Sequence, residues 1–391
     1  MGLFDKIFGR PKAHREVTGD YKVLTGYTPV FVNGAGQIYE SQLIRAAINA
    51  RATHISKLRV NFEGHGSQYL AERLKRPNEL NTWSQFMYRV STILDVDNTA
   101  FVVPVFDRTN RIREIYPVLP SRSKLVTVKG SDDPWLAFEF AHGKYAQLPV
   151  WQVGVLTKFQ YRKDYFGESN RSLDPTLKVI DINNQATIEG MKSAATFRFM
   201  ASYSNVAFGE DLAEEQKRFN ESSMSAKRGG GVLLFPATYN NPKQIESKPF
   251  VIDADTQKQI SESVYNYFGV NEDVLQGRAS GDKWTAFYES AIEPFAIQFS
   301  EVMTDLFRLC GELTGPDSGV YATANRLQYL SNAEKLNVSS QLLDRGIMSI
   351  NDVRDIWNLP PVEDGDRRII RGEYYDTNQK LNEVNEDEAG S

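Results

Sequence analysis

Between Arg345 and Asp366 the chain carries the full punctuation of a helical hairpin, and this limits how the C-terminal region can fold more than any other stretch does. Gly346 can end one helix in the left-handed conformation, because a residue without a Cβ meets no steric penalty there. Ser349 can cap the next helix, with Asp352 at the third helical position in place of the Glu or Gln usual in a capping box. Pro360 and Pro361 end that second helix after Trp357, since neither donates a helical hydrogen bond and each restricts the residue before it. Backbone chemistry alone thus predicts a compact helix-turn-helix with a hard stop, without assigning it a task.

A chain of 391 residues, 41% hydrophobic and 12% aromatic, can bury a substantial core and exceeds what one core usually serves, so two or more structural units are expected. No window approaches the roughly 20 apolar residues that cross a bilayer, which argues against a membrane partner. The first ten residues place Leu3, Phe4, Ile7 and Phe8 at helical spacing but are too short and too charged for a secretory signal, and read as a short amphipathic helix. The single cysteine, Cys310, sits in an apolar helical run and reads as a small buried hydrophobe, with a reducing compartment consistent. A net charge of -5 argues against a general nucleic-acid binder, which needs a basic surface to release counterions. It does not argue against a conduit, which should hold DNA weakly.

Along the chain, residues 18–36 scatter glycine, proline and threonine without a sustained period and read as a loop-rich arm. Ser41 can cap a helix whose apolar stripe includes Ile44, Ala47, Ile48, Ile55 and Leu58, and Thr82 a second one reaching Leu94. The period then changes to two. Ala100 to Phe106, a turn at Asp107 to Asn110, and Ile112 to Val118 form a predicted β-hairpin, followed by strands at 124–128, 135–140 and 150–158. An amphipathic helix is predicted over 185–205, a glycine turn feeding a short strand over 227–236, and another helix over 253–268. Two helices thus bracket a small insertion. After a polar, glycine-bearing stretch, a helix over 283–313 would span about 45 Å, and Pro294 inside it predicts a kink. The tail from Leu381 has Glu383, Glu386, Asp387 and Glu388 without a cation and reads as disordered.

The residues of the C-terminal stretch are more specific than their periodicity. Gly346, Ile347, Met348, Ser349, Asn351, Asp352, Val353 and Arg354, then Leu359, Pro360, Pro361, Gly365 and Asp366, resemble the C-terminal signature of HK97-type tailed-phage portal proteins. Pro77-Asn78, the helix after Thr82, and Asn98 to Val102 resemble the family in order and type. Two departures stand out: Asp97 replaces a usual glycine, and Thr157 a usual histidine.

The resemblance implies an α+β portal fold with an α/β wing, a two-helix stem, a small α/β clip, a long kinked helix and a helical C-terminal crown. Mapped onto this chain it divides into an N-terminal arm (1–40), the first part of the wing (41–184), stem helix one (185–207), the clip (208–250) and stem helix two (251–268). A channel loop (269–283), the long helix with the rest of the wing (284–330), and the crown with its acidic tail (331–391) complete it. It further implies a ring, a dodecamer, at one capsid vertex of the virion, assembled in the host cytoplasm. Double-stranded DNA would pass through the ring, and its partners would be the terminase large subunit, the major capsid protein and a head-tail adaptor. Two other classes are a different capsid-associated or adaptor protein, and a nucleic-acid enzyme. Adaptors are usually far shorter. An enzyme would require a carboxylate cluster or a nucleotide loop, neither of which the sequence displays.

Candidate chemistry is sparse. Lys227 and Arg228 beside Gly229, Gly230 and Gly231 could meet phosphates or a docking partner, but lack the spacing of a nucleotide-binding loop. The four histidines are dispersed, so no metal, cofactor or catalytic residue is expected. Arg278 and Lys283 flank the glycine-bearing loop and, repeated around a ring, would offer cations to passing phosphates. Trp284, Phe287, Tyr288, Phe295 and Phe299 are expected to pack in a core or between subunits, not to stack on bases.

Overall fold

The computed structural model of the chain describes residues 7, 21–27, 41–128, 133–194, 198–203, 213–214, 217, 239–245, 254–324 and 332–370. The fold is α+β, and the chain divides into two compact units, one of residues 1–174 with 261–391 and one of residues 175–260. The first unit is therefore discontinuous in sequence, and the second is inserted into it.

In the discontinuous unit, β3 (Thr99–Phe106) and β4 (Ile112–Val118) pair as predicted, with Phe101 opposite Val118 and Val103 opposite Tyr116. β8 (Gly154–Thr157) adds to the other edge of β3. Asp107 shapes the hairpin turn, its Oδ1 accepting the Thr109 and Arg111 amides at 2.8 and 3.0 Å. A four-stranded sheet runs in the order β1 (Tyr21–Tyr27), β5 (Arg122–Val128), β6 (Pro134–Phe140), β7 (Lys144–Pro149). Phe101, Val103, Tyr116 and Val118 share one apolar cluster with Leu125, Leu136, Phe138 and Phe166, so the two sheets bury a common core. The predicted strand over 150–158 is shorter than expected, because Pro149 and a 3-10 turn at Val150–Gln152 interrupt it. The arm also departs from its loop-rich reading. Tyr21, Val23, Thr25 and Tyr27 supply the β-formers of a strand that covers the edge of β5, with a bulge between Val23 and Thr25 absorbing the irregular spacing.

A helical layer completes this unit. α1 (Gln42–Ile55) buries Ile44, Ala47, Ile48, Ala52 and Ile55; Ser41 stands at its N-cap position without a side-chain capping bond. After β2 (Arg59–His65) and α2 (Ser67–Arg73), α3 (Trp83–Asp97) starts at a full capping box in which Thr82 and Gln85 satisfy each other's amides. The sequence pattern missed the pairing of β2 with β11 (Thr314–Thr323), which sets Phe62 opposite Val320.

In the inserted unit, α4 runs over Asp174–Ala194, and β9 (Arg198–Tyr203) pairs antiparallel with β10 (Tyr239–Ile245). The helix expected over 185–205 therefore begins earlier and ends earlier. Pro175 suits a first helical turn, and the aromatics Phe199 and Tyr203 sit at strand spacing, a period-two signal that the helical reading overrode. Lys227, Arg228, Gly229, Gly230 and Gly231 lie outside the described residues, as does the tail from Leu381. The helix predicted over 253–268 is present as α5 (Ala254–Tyr267).

The C-terminal hairpin is α9 (Asn332–Asp344), β12 (Arg345–Ser349) and α10 (Ile350–Ile356), with β13 (Arg368–Ile370) pairing back on β12. Gly346 has φ +67°, and Ser349 with Asp352 forms the predicted box, the Asp352 carboxylate accepting the Ser349 amide at 2.8 Å. Two points differ from the sequence reading. A short strand, not a bare turn, joins the helices, and α10 ends at Ile356 because Asn358 adopts φ +55° ahead of the prolines.

Candidate functional site

The loop between α5 and the long helix is closed by one carboxylate. Gly269, with φ +68°, turns the chain out of α5, and Asn271 caps α6 (Glu272–Leu275) by accepting the Val274 amide at 2.9 Å. The Asp273 backbone carbonyl accepts the Arg278 and Ala279 amides at 2.7 and 3.1 Å, folding the loop over itself. On its side chain, Lys283 Nζ lies 2.6 Å from Oδ2 and Arg278 Nε 4.0 Å from Oδ1. The bond from Lys283 is the main reason the Asp273 carboxyl is held below the usual carboxylate range. Arg278 and Lys283, separated in sequence reasoning, thus meet at one acceptor, and their side chains remain 64% and 67% exposed. Glu272, Asp273 and Asp282 outnumber them in the loop, so the local surface is not a cationic patch.

The long helix is not one rod. α7 (Asp282–Phe287) passes into a π-turn, Tyr288–Ile292, and then α8 (Glu293–Leu309). Pro294 in the first turn of α8 has no N–H to donate and would press on the carbonyl four residues back; the widened turn relieves this, with the Glu293 amide bonding to the Tyr288 carbonyl. The expected kink therefore takes the form of a π-bulge just before the proline. Trp284, Phe287, Tyr288, Phe295 and Phe299 are all buried. His54 of α1 packs against the Trp284 and Phe287 rings, and burial pushes its imidazole down to about 4.

Beneath the π-turn lies a buried polar hub that sequence reasoning missed. Arg51 of α1 pairs with Asp95 of α3, and its Nε donates to the Ala291 carbonyl at 3.1 Å. Lys158 Nζ reaches the same Asp95 oxygen at 2.9 Å; burial is the main force lowering its ammonium, and Asp95 opposes it. Asn170 Nδ2 donates to the Asp95 and Val96 carbonyls, and its Oδ1 accepts from Asn98 Nδ2 and Tyr267 Oη, each at 2.7 Å. The hub joins the first helices, the segment after β8, the end of α5 and the π-turn. Its signal was legible: Arg51 and Asp95 fall on the apolar stripes of their helices, where a charge requires a partner.

Among the described residues no His, Cys, Asp or Glu cluster is placed to hold a metal ion, and no helix is long and apolar enough to cross a membrane. Cys310 is half-buried, its thiol pushed up to about 12 by burial and then by Glu312.

Comparison with known proteins converges with this architecture. The chain belongs to the phage portal protein family, whose model matches residues 42–358. Portal proteins are structural proteins. Among solved structures, the chain resembles one titled the neck of a native GTA particle computed with C12 symmetry, at 15% identity and a TM-score of 0.57, covering 83% of this chain and 92% of that one. A second, the virion of a native gene transfer agent particle, aligns at 16% identity and a TM-score of 0.56 over the same shares. An HK97 family phage portal protein from Corynebacterium diphtheriae aligns at 11% identity and a TM-score of 0.48, over 73% of this chain and 93% of that one. No curated protein matches the chain.

Proposed function

We propose that this portal protein closes into a ring, a dodecamer, at one capsid vertex, through which double-stranded DNA is packaged and later ejected. The observation that carries the reading is the family match over residues 42–358 in a chain whose main unit is interrupted by an inserted one. A second observation supports self-association. On α4, Val179 and Ile182 lie on one side and Ile188 and Met191 on roughly the opposite side, and all four are at least 48% exposed. A helix apolar on opposite flanks is satisfied when it has a neighbour on each, which ring closure supplies.

In this reading the part of the inserted unit from about 208 to 250 is the clip that docks the terminase large subunit and then the head-tail adaptor, with Lys227 and Arg228 among its contacts. The flanking helices are the stem, residues 269–283 face the DNA, and the C-terminal hairpin is the crown inside the capsid, near the major capsid protein. Arg278 and Lys283 act weakly there: Asp273 competes for both cations, so the loop suits transit more than capture. The energy for movement comes from the terminase.

Electron microscopy and native mass spectrometry of the purified full chain test the proposal. Rings with an open axial hole are the expected outcome; a stable closed monomer at micromolar concentration would sink it. Within such rings, Lys227→Glu with Arg228→Glu should weaken terminase binding, and unaltered binding moves that contact elsewhere.

A further inference from the structure

The discontinuous unit carries a groove that none of these roles uses. It measures about 450 Å³ and runs between the last turns of α8 and the segment around β8. Val302, Leu306 and Leu309 form one wall, Val153, Val155 and Tyr165 the other. Leu309 is 61% exposed and Trp151 at the groove is 37% exposed, an unusual outlay of large apolar surface in one place. Three carboxylates also line it, Asp133, Asp164 and Asp305, and among the described residues no Lys, Arg or His does. An apolar floor with an acidic rim fits an amphipathic, basic segment.

The chain contains one. Leu3, Phe4, Ile7 and Phe8 recur at helical spacing, Lys6 lies among them, and Arg10, Lys12 and Arg15 follow, against a single acid, Asp5. Ile7 itself is half-buried and packs against the two-sheet cluster, whose member Val153 also lines the groove. The cluster that receives Ile7 and the groove therefore meet at Val153. We infer that the groove is the docking site of the chain's own N-terminal segment, residues 2–15, whose apolar content matches Val302, Leu309 and Trp151 and whose cations match Asp133, Asp164 and Asp305. The inference stands independently of ring closure.

Thiol crosslinking of the full chain tests it. On a Cys310→Ser background, which removes the only native thiol, Phe8→Cys is combined with Leu309→Cys and treated with a short bismaleimide. Docking raises the effective concentration of the tethered segment, so an intrachain crosslink should form at least about tenfold faster than in a reference pair of Phe8→Cys with Leu336→Cys on α9. Leu309 and Leu336 are both more than 60% exposed, so neither replacement disturbs a core. A rate no higher than the reference overturns the inference. A covalent ladder of multimers overturns it as well, by assigning the groove to a second copy. Lys6→Glu, Arg10→Glu and Lys12→Glu together should lower the docked rate several-fold at low salt and much less at high salt; an undiminished rate overturns the charge match.

Discussion

The C-terminal hairpin and the polar hub under the π-turn are held by opposite strategies. In the hairpin, most stabilising bonds stay within the element itself: Ser349 with Asp352, Asn351 with Val362 and Asp366, Gly346 and Asn358 through their positive φ values, the largely exposed pair of Arg59 with Asp355 being a long-range exception. Little of it is buried, Ile356 being the one large apolar side chain fully inside. In the hub, Arg51 meets Asp95 across 44 positions and Ala291 across 240, and Asp95 is wholly buried. Local bonds make an element that survives the loss of any one of them. A buried charge shared among distant segments makes a junction that does not.

That contrast can be broken from the hub side first. Arg51→Met strands the Asp95 carboxylate with Lys158 as its remaining cation and frees the Ala291 carbonyl, and should cost about 3–5 kcal/mol in a denaturant melt. A loss under 1 kcal/mol would show that the hub is not a keystone. Next comes Asp97, which burial pushes up to about 7 from 3.8. Its folded form binds the proton more tightly than its unfolded form, so the associated stability is complete below about pH 4 and is lost as pH rises through 7. Asp97→Asn should therefore stabilise the protein at pH 8 by about 2–4 kcal/mol and flatten the slope between pH 4 and 7. An unchanged slope excludes Asp97 as its source.

Glu312 is an intermediate case. Its side chain is buried and accepts the Ile112 amide at 2.6 Å and Arg111 Nε at 2.8 Å, fastening the end of α8 to the β-hairpin turn. Since Arg111 is 43% exposed, most of the cost of Glu312→Ala should come from the orphaned amide, about 2 kcal/mol, and Glu312→Gln should recover part of it. The smallest effect belongs to the hairpin. Ser349→Ala removes one cap, worth about 1 kcal/mol, and should raise amide exchange in Ile350–Ile356 about fivefold while leaving the global melt in place. A global shift as large as that of Arg51→Met would erase the distinction between the two regions.

The same contrast sets what could be read before any coordinates. Thr82, Ser349 and Gly346 act on their own neighbours, so their roles follow from spacing, and the hairpin of β3 and β4 follows from alternation around a turn. Pro294 announced a disturbance but not its form, because the choice of a π-turn depends on the packing of Phe287, Tyr288 and Ala291 around it. Strand β2 contains Gly64 and pairs far away, and nothing local announces β11 as its partner. Arg278 and Lys283 could be named as exposed cations, but their common acceptor, Asp273, could not, since its position depends on the loop's own fold.

The two-part make-up of the larger unit has a consequence for its biosynthesis. His65 at the end of β2 donates its amide to Ser318, 253 positions later, so the strand's edge leaves the ribosome long before its mate exists. Closing so long a span adds little thermodynamically, about 0.6 kcal/mol for each doubling, which leaves the intervening module free to grow or shrink between relatives. The penalty falls on time instead: nascent chains must wait with that edge and the apolar sides of α1 and α3 uncovered, a window in which holding chaperones would be expected to engage them.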